Sequence, residues 1–397
     1  MTDYEDTKLT DCAILNFWWT SNYGAILTAY ALQQVLNDIG ITSQLVNYQY
    51  GYKKKLYKNS LFEDFANKYL ITSKKISNKK DFEILGKSVK TFIVGSDQVF
   101  NTYMTRNRLN EYLLGFADMF SKRIAMSASF GVEDLQISDE LKYRYKNYLK
   151  MFDYITLREF SGIDICKNHF DCDASWLIDP VFIADKENYE NICKTATLNC
   201  TDKILTYVLD ENQNYKNKYN EISKKLNKEI ISITKNNVNV EDWLNAIRTC
   251  EYMITDSFHG ACFAIIFNKP FICISNAERG SARFKSLFEA LKIPTTFLFN
   301  HINDVNLQDD IFNNIDYNQI NNVCHAIKQD AYKKIELMVK SPKTISNDAL
   351  AAQLNILRNN NFKQKIKNKN FMPISVIKTE NNFIMNFFGI KLSIKRK

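Results

Sequence analysis

The chain has 397 residues, 45% of them hydrophobic, with only 11 glycines and 5 prolines, which is enough apolar mass for two cores and excludes a fibrous or low-complexity protein. Its formal charge of +8 is unevenly held: residues 341–397 carry 11 Lys and Arg against 2 Asp and Glu, or +9, which leaves the body at −1. A neutral body argues against a nucleic-acid-binding body and for an electrostatically distinct tail.

In chain order, Cys12–Trp18 reads as a first strand, and the polar turn Thr20–Gly24 leads into a helix over 25–39 that Gly40 stops. Leu27, Tyr30, Ala31, Val35 and Leu36 share one face of that helix. Ser43–Tyr48 is a second strand, and in doubly wound folds the first such turn lines a cleft. Residues 50–88 read as helices with connections. Thr91–Val94 is a continuous apolar run suited to a buried parallel strand. Asp97 falls just past its end, either facing the cleft or capping the next helix. Strands follow at 123–126 and 154–157, with a helix between them that Ser138 can cap, and Arg158 again falls at a strand's carboxyl end. Ser175–Val181 closes this half.

A second βα array begins near Lys203, with strands at 204–209 and 229–234 and helices at 212–226 and 240–250. Tyr252–Ile254 is then a short buried strand, Thr255–Gly260 a polar turn, Ala261–Phe267 a helix and Phe271–Ile274 a strand. The turn places His259 between a strand end and a helix start, where unpaired N–H groups favour an anion. Asp256 and Ser257 are equally able to cap that helix. The next strand end brings Arg279 and Arg283 beside the turn, and a histidine with two guanidinium groups suits a phosphate or carboxylate. His169, His301 and His325 show no ligand spacing and read as structural or surface residues. Helices over 281–291 and 318–340 precede the tail, which holds a further helix over 348–358 and whose end, Asn382–Lys397, is aromatic and cationic. That end suits an interfacial anchor on an anionic leaflet, with a solvated or partner-bound tail as the alternative.

The nine cysteines are odd in number and include no CxxC pair, which fits buried thiols in a reducing compartment better than disulfides or a zinc site. Met1–Thr10 is acidic and polar, unlike a secretory leader, and no apolar run nears the roughly 18 residues of a membrane span. The expected location is the cytoplasm, with peripheral contact on the inner face of the membrane left open. The expected division is a Rossmann-like domain over 1–182, a second over 183–340 and a basic tail over 341–397.

Three stretches resemble the polysaccharide pyruvyl transferases: Asn22-Tyr23-Gly24-Ala25 with Ala29–Gln33, Gly95-Ser96-Asp97-Gln98-Val99-Phe100-Asn101, and Thr255-Asp256-Ser257-Phe258-His259-Gly260. The resemblance covers roughly residues 11–300; Phe100 and Ala25 stand where that family more often has Trp and Gly. It implies two Rossmann-like domains facing across a cleft, as in the glycosyltransferase B architecture. It also implies phosphoenolpyruvate as donor substrate, a glycan or lipid-linked sugar as acceptor, and no metal or separate cofactor. His259 matches the family's motif histidine and Arg158 its strand-end arginine. On this basis His259 is the candidate acid or phosphate partner and Asp97 the candidate base. Arg158, Arg279 and Arg283 are the candidate anion ligands, and Asn22, Tyr23, Gly24, Gln98, Ser257 and Gly260 line the substrate site. A nucleotide-sugar glycosyltransferase of the same architecture and a non-catalytic glycan-assembly subunit are the alternatives.

Overall fold

A computed structural model of the chain describes residues 10–48, 60–234, 237–275, 280–306, 315–367, 374–378, 382–387 and 390–395. Residues 1–345 form one compact unit and 346–397 another. The first unit is α/β, with two parallel sheets.

Seven strands make the first sheet: β1 (Cys12–Leu15), β2 (Ser43–Tyr48), β3 (Thr72–Ile76), β4 (Thr91–Asp97), β5 (Lys122–Ala128), β6 (Tyr154–Leu157) and β7 (Ser175–Trp176). Their order is β3-β2-β1-β4-β5-β6-β7, and every neighbouring pair is parallel. β4 is buried up to Asp97 and β5 throughout, because helices cover both faces of a parallel sheet. Both run further than their apolar cores suggest, so Asp97 is the last residue of its strand rather than the first of the loop. β3 falls in the stretch expected to be helical. Its sequence, Thr-Ser-Lys-Lys-Ile, is mostly exposed at the sheet edge, where a strand needs no apolar signature.

The second sheet has β8 (Ile204–Tyr207), β9 (Ile230–Ile233), β10 (Tyr252–Thr255), β11 (Phe271–Ile274) and β12 (Leu298–Phe299), in parallel order β12-β11-β10-β8-β9. The last strand of one sheet and the first of the other lie on either side of the expected junction near 183–202. Each order reverses once, between β1 and β4 and between β8 and β10. In open α/β sheets the crevice for a ligand lies at the carboxyl ends of the strands beside such a reversal.

The two sheets are tied together by buried contacts. Tyr23, which opens the helix Tyr23–Asp38 after β1, stacks on Trp243 of the second array at 5.1 Å and 7°, and its hydroxyl donates to the Val238 carbonyl at 2.7 Å. The helix Tyr317–Lys340 spans both arrays. At its start the Tyr317 hydroxyl donates to the Lys269 carbonyl, and at its end the buried Lys122 ammonium donates to the carbonyls of Met338 at 3.1 Å and Val339 at 2.8 Å. Those carbonyls are the ones a helix C-terminus leaves without intrahelical partners. All nine cysteines are unpaired, and Cys12, Cys262 and Cys273 are buried thiols.

The C-terminal unit begins with the helix Asn347–Lys367, longer than the helix expected over 348–358. Three antiparallel strands follow: β13 (Ile374–Lys378), β14 (Asn382–Phe387) and β15 (Ile390–Lys395). The basic tail is therefore helical only in its first part. Alternation of Ile390, Leu392 and Ile394 with Lys391, Ser393 and Lys395 is the period-two signal of a strand.

Candidate functional site

The site grows out of the first-sheet strand ends. Asp97 closes β4 with φ 150°, an uncommon value for a residue with a side chain. Its Oδ1 accepts from the Gln98 N–H at 2.7 Å and from Arg158 Nη2 at 3.2 Å. Among the described residues its Oδ2 accepts no hydrogen bond, and the side chain keeps 14% exposure. Arg158, just past β6, has a side chain only 1% exposed, and its Nη1 donates to Asp179 Oδ2 at 2.8 Å. Asp179 precedes Pro180, which starts the short helix Pro180–Ile183, and its Oδ1 accepts from the Val181 N–H at 3.2 Å. Ser96 adds a hydrogen bond to Oδ2 at 3.1 Å.

Burial disfavours every charge here, and at Arg158 and Asp179 pairing outweighs it. Desolvation opposes the Arg158 charge, yet Asp97 and Asp179 hold its pKa above the usual arginine value. Desolvation likewise pushes the Asp179 carboxyl up, but His259 and Arg158 together bring it well below the ordinary carboxylate range. Glu159, fully buried, accepts from the Phe130 and Gly131 N–H groups at 2.7 and 3.1 Å, and burial pushes its carboxyl up.

From the second sheet, Ser257 caps the helix Phe258–Ile266, its Oγ accepting from the Gly260 N–H at 3.2 Å. His259 thus lies inside the first helical turn. Its Nε2 is 3.0 Å from Thr28 Oγ1 and 3.5 Å from Asp179 Oδ2, both supplied by the first array. Gly24 makes that approach feasible: a Cβ on it would stand 2.0 Å from His259 Nδ1. Asp256 accepts from the Leu209 and Asp210 N–H groups at 2.7 and 3.2 Å, joining the two strand ends beside the second reversal.

Between the arrays, the Phe258 ring has a guanidinium at 5.0 Å from Arg158 and another at 5.3 Å from Arg283. Arg283, on the helix Ser281–Leu291, is buried, and desolvation together with the neighbouring Arg158 charge pushes its pKa down to about 10. With its amide oxygen assigned toward Arg283, Gln98 accepts from Nη1 and Nη2 at 3.2 Å. Gly131, at φ +70°, leaves room for that amide, since a Cβ there would lie 2.1 Å from it.

Asp97, Gln98, Arg158, His259, Arg283 and Gly24 are therefore brought to one place. Arg158 differs from expectation in one respect: both outer nitrogens already hold carboxylates, so it is not an open anion ligand. Four other expected lining residues have local structural work. Asn22 caps its helix, accepting from Gly24 and Ala25 N–H at 2.9 and 3.3 Å, and Tyr23 is core between the arrays. Ser257 is a cap, and Gly260 lets its helix lie on β10, where a Cβ would meet Thr255 Oγ1 at 2.4 Å. Arg279 lies outside the described residues. Asp179, Thr28, Glu159 and Phe258 were not anticipated as site residues. Their signals were slight: an acid before a proline, and a hydroxyl amid the apolar residues of a buried helix.

A polysaccharide pyruvyl transferase family model matches residues 22–278. The chain belongs to that family. The match spans Gly24, Asp97, Arg158, Asp179 and His259 but stops short of Arg283. No curated protein is significantly similar in sequence. Among solved structures, an uncharacterised Klebsiella pneumoniae protein is 14% identical, with 74% of this chain and 94% of that one covered at a TM-score of 0.43. UDP-GlcNAc 2-epimerase from Neisseria meningitidis is 9% identical, with 87% and 99% covered at 0.47. ADP-heptose LPS heptosyltransferase II from E. coli is 10% identical, with 81% and 99% covered at 0.35. Likeness this distant transfers no ligand to the pyruvyl transferase family member described here. Among the described residues no group of three or more His, Cys, Asp or Glu is placed to hold a metal, and no helix is long and apolar enough to cross a membrane.

Proposed function

We propose that the chain transfers the pyruvyl group of phosphoenolpyruvate to two hydroxyls of a sugar in a cell-surface polysaccharide or its lipid-linked precursor. The products are a pyruvate ketal and inorganic phosphate. Atoms balance as follows: one hydroxyl proton ends on C3, turning the methylene into a methyl, and the other leaves with phosphate. Both hydroxyl oxygens end on C2. The observation that carries this reading is the meeting of cationic and imidazole groups from both arrays: the Arg158 and Arg283 guanidiniums lie 5.0 and 5.3 Å from the Phe258 ring, next to His259 in the first turn of its helix.

On this reading the first array, residues 1–182, holds the acceptor, and the second, 183–340, holds the donor. Asp97 Oδ2 takes a proton from the attacking hydroxyl, and His259 delivers one to C3. Arg158 supplies a fixed positive charge behind the site, while Arg283, Arg279 and the first N–H groups of the His259 helix hold the donor's anionic ends. Phosphoenolpyruvate is itself the donor, and no separate cofactor is invoked. The test is phosphate release from phosphoenolpyruvate across a panel of lipid-linked and nitrophenyl sugars, beside calorimetric titration with phosphoenolpyruvate and with uridine and guanosine diphosphates. Acceptor-dependent phosphate release supports the reading. Heat with a nucleoside diphosphate alone replaces it with a glycosyltransferase. Sugar binding with no phosphate release leaves an assembly subunit.

The tail belongs to the same proposal as a contact with an anionic membrane surface, since residues 341–397 carry +9 on a body of −1. Co-sedimentation of the full chain with phosphatidylserine vesicles, lost on removal of 341–397, supports it. Equal sedimentation without the tail removes it.

A further inference from the structure

Thr28 and Asp179 meet His259 from two different elements, and the chemistry of their donors decides which imidazole nitrogen is occupied. Thr28 is fully buried, with its Oγ1 3.0 Å from His259 Nε2 and 3.5 Å from Asp179 Oδ1. A hydroxyl has one proton to give, and an ionised carboxylate only accepts. The Thr28 proton therefore goes to Asp179, and the Thr28 lone pair is left to accept from a proton on Nε2. Asp179 Oδ2, 3.5 Å from the same nitrogen, favours a proton there too. The carboxylate cannot swing away, because Arg158, Ser96 and the Val181 N–H fix it from three sides.

We propose that Thr28 and Asp179 are positioning residues that keep a proton on His259 Nε2 in both the neutral and the charged ring, so that Nδ1, over Gly24, is the nitrogen that carries the second proton of the imidazolium and gives it up during transfer, leaving the neutral Nε2–H tautomer. The part about transfer rests on the proposed pyruvyl chemistry; the tautomer does not. The arrangement also joins the candidate base to the candidate acid through one buried chain of polar groups. It runs from Asp97 to Arg158 at 3.2 Å, to Asp179 at 2.8 Å, to Thr28 at 3.5 Å and to His259 at 3.0 Å. A change of protonation at either end is felt by the other through the shared guanidinium and carboxylate.

The experiment is long-range proton–nitrogen correlation NMR on the full chain carrying nitrogen-15 histidine. There are four histidines, and His259→Gln identifies the signal of interest. The expected result above the ring's titration is an Nε2–H pattern in the wild type. In Thr28→Val, which keeps the shape of the side chain and loses the hydroxyl, a mixture of tautomers is expected. Thr28→Ser is expected to restore the wild-type pattern. An Nδ1–H wild type, or a Thr28→Val spectrum unchanged from wild type, overturns the proposal whatever the substrate proves to be. In turnover, Thr28→Val should lower kcat by roughly 10- to 100-fold, at or below the usual worth of a general acid, with KM for phosphoenolpyruvate within about twofold. Thr28→Ser should recover most of that loss. A Thr28→Val enzyme with wild-type kcat overturns the transfer role. Absence of phosphate release in the wild type defeats the pyruvyl reading instead and leaves the tautomer result to stand alone.

Discussion

Gly24→Ala is the sharpest probe of the contact between the two arrays. Gly24 lies in the first turn of the helix Tyr23–Asp38, so alanine by itself should stabilise that helix by up to about 1 kcal/mol. The new methyl, however, would stand 2.0 Å from His259 Nδ1, 2.3 Å from its Cγ and 2.8 Å from its Cβ. Ordinary contact begins at 3.4 Å, so the ring must retreat by about 1.4 Å. It has little room to do so, because Thr28 holds its far nitrogen at 3.0 Å. Overpacking of this kind costs about 1–3 kcal/mol, which cancels or exceeds the helical gain. A misplacement of about 1 Å at a reacting group costs on the order of 10² in rate. Urea unfolding and phosphate release should therefore show a protein no more stable than wild type and about 100-fold slower. The control is the same substitution in a His259→Ala background, where the ring is gone and only the retained Cβ, at 2.8 Å, is left to strike, so Gly24→Ala should cost less stability than it does beside the intact histidine. An identical stability change in both backgrounds, with turnover intact, would refute the close approach of Gly24 to His259.

Three further outcomes are expected. Asp97→Asn should lower turnover by about 10²–10⁴ as a lost base, with little change in phosphoenolpyruvate affinity measured by calorimetry. Asp179 has its folded pKa depressed, so its stability contribution is complete above its unfolded value near 3.8 and is lost as pH falls below that toward the folded value. Below about pH 4, urea midpoints should fall more steeply in wild type than in Asp179→Asn. That variant should itself be about 3–5 kcal/mol less stable at pH 7 because it removes one of the carboxylates facing Arg158. Tyr23→Phe removes the hydroxyl that donates to the Val238 carbonyl at 2.7 Å and accepts from the Val238 N–H at 3.4 Å, and should cost about 1 kcal/mol in unfolding experiments without changing the stacking on Trp243.

The order of strands and helices was largely readable because it rests on local signals. Runs such as Thr91–Val94 and Phe271–Ile274, and stops such as Gly40, act over a few residues and appear in the structure where the pattern puts them. Boundaries were less readable: a strand can continue through polar residues once its neighbours pair with it, as β4 does to Asp97 and β5 to Ala128. The edge strand β3 and the three C-terminal strands were missed for the opposite reasons. One lacks an apolar pattern, and the others have one that was overshadowed by their aromatic and basic content.

The sequence by itself determined the α/β class, the family motifs and the separation of a neutral body from a cationic tail, since each depends on composition or on neighbours a few positions apart. Only the tertiary structure decided that Arg158 is occupied by Asp97 and Asp179, that Asp179 and Thr28 reach His259, and that Ser257 is a helix cap. Thr28 and His259 are 231 positions apart along the chain and 3.0 Å apart in space. A charge or hydrogen bond is set by distance and by the exclusion of water, and neither exists until the two sheets have brought their strand ends together.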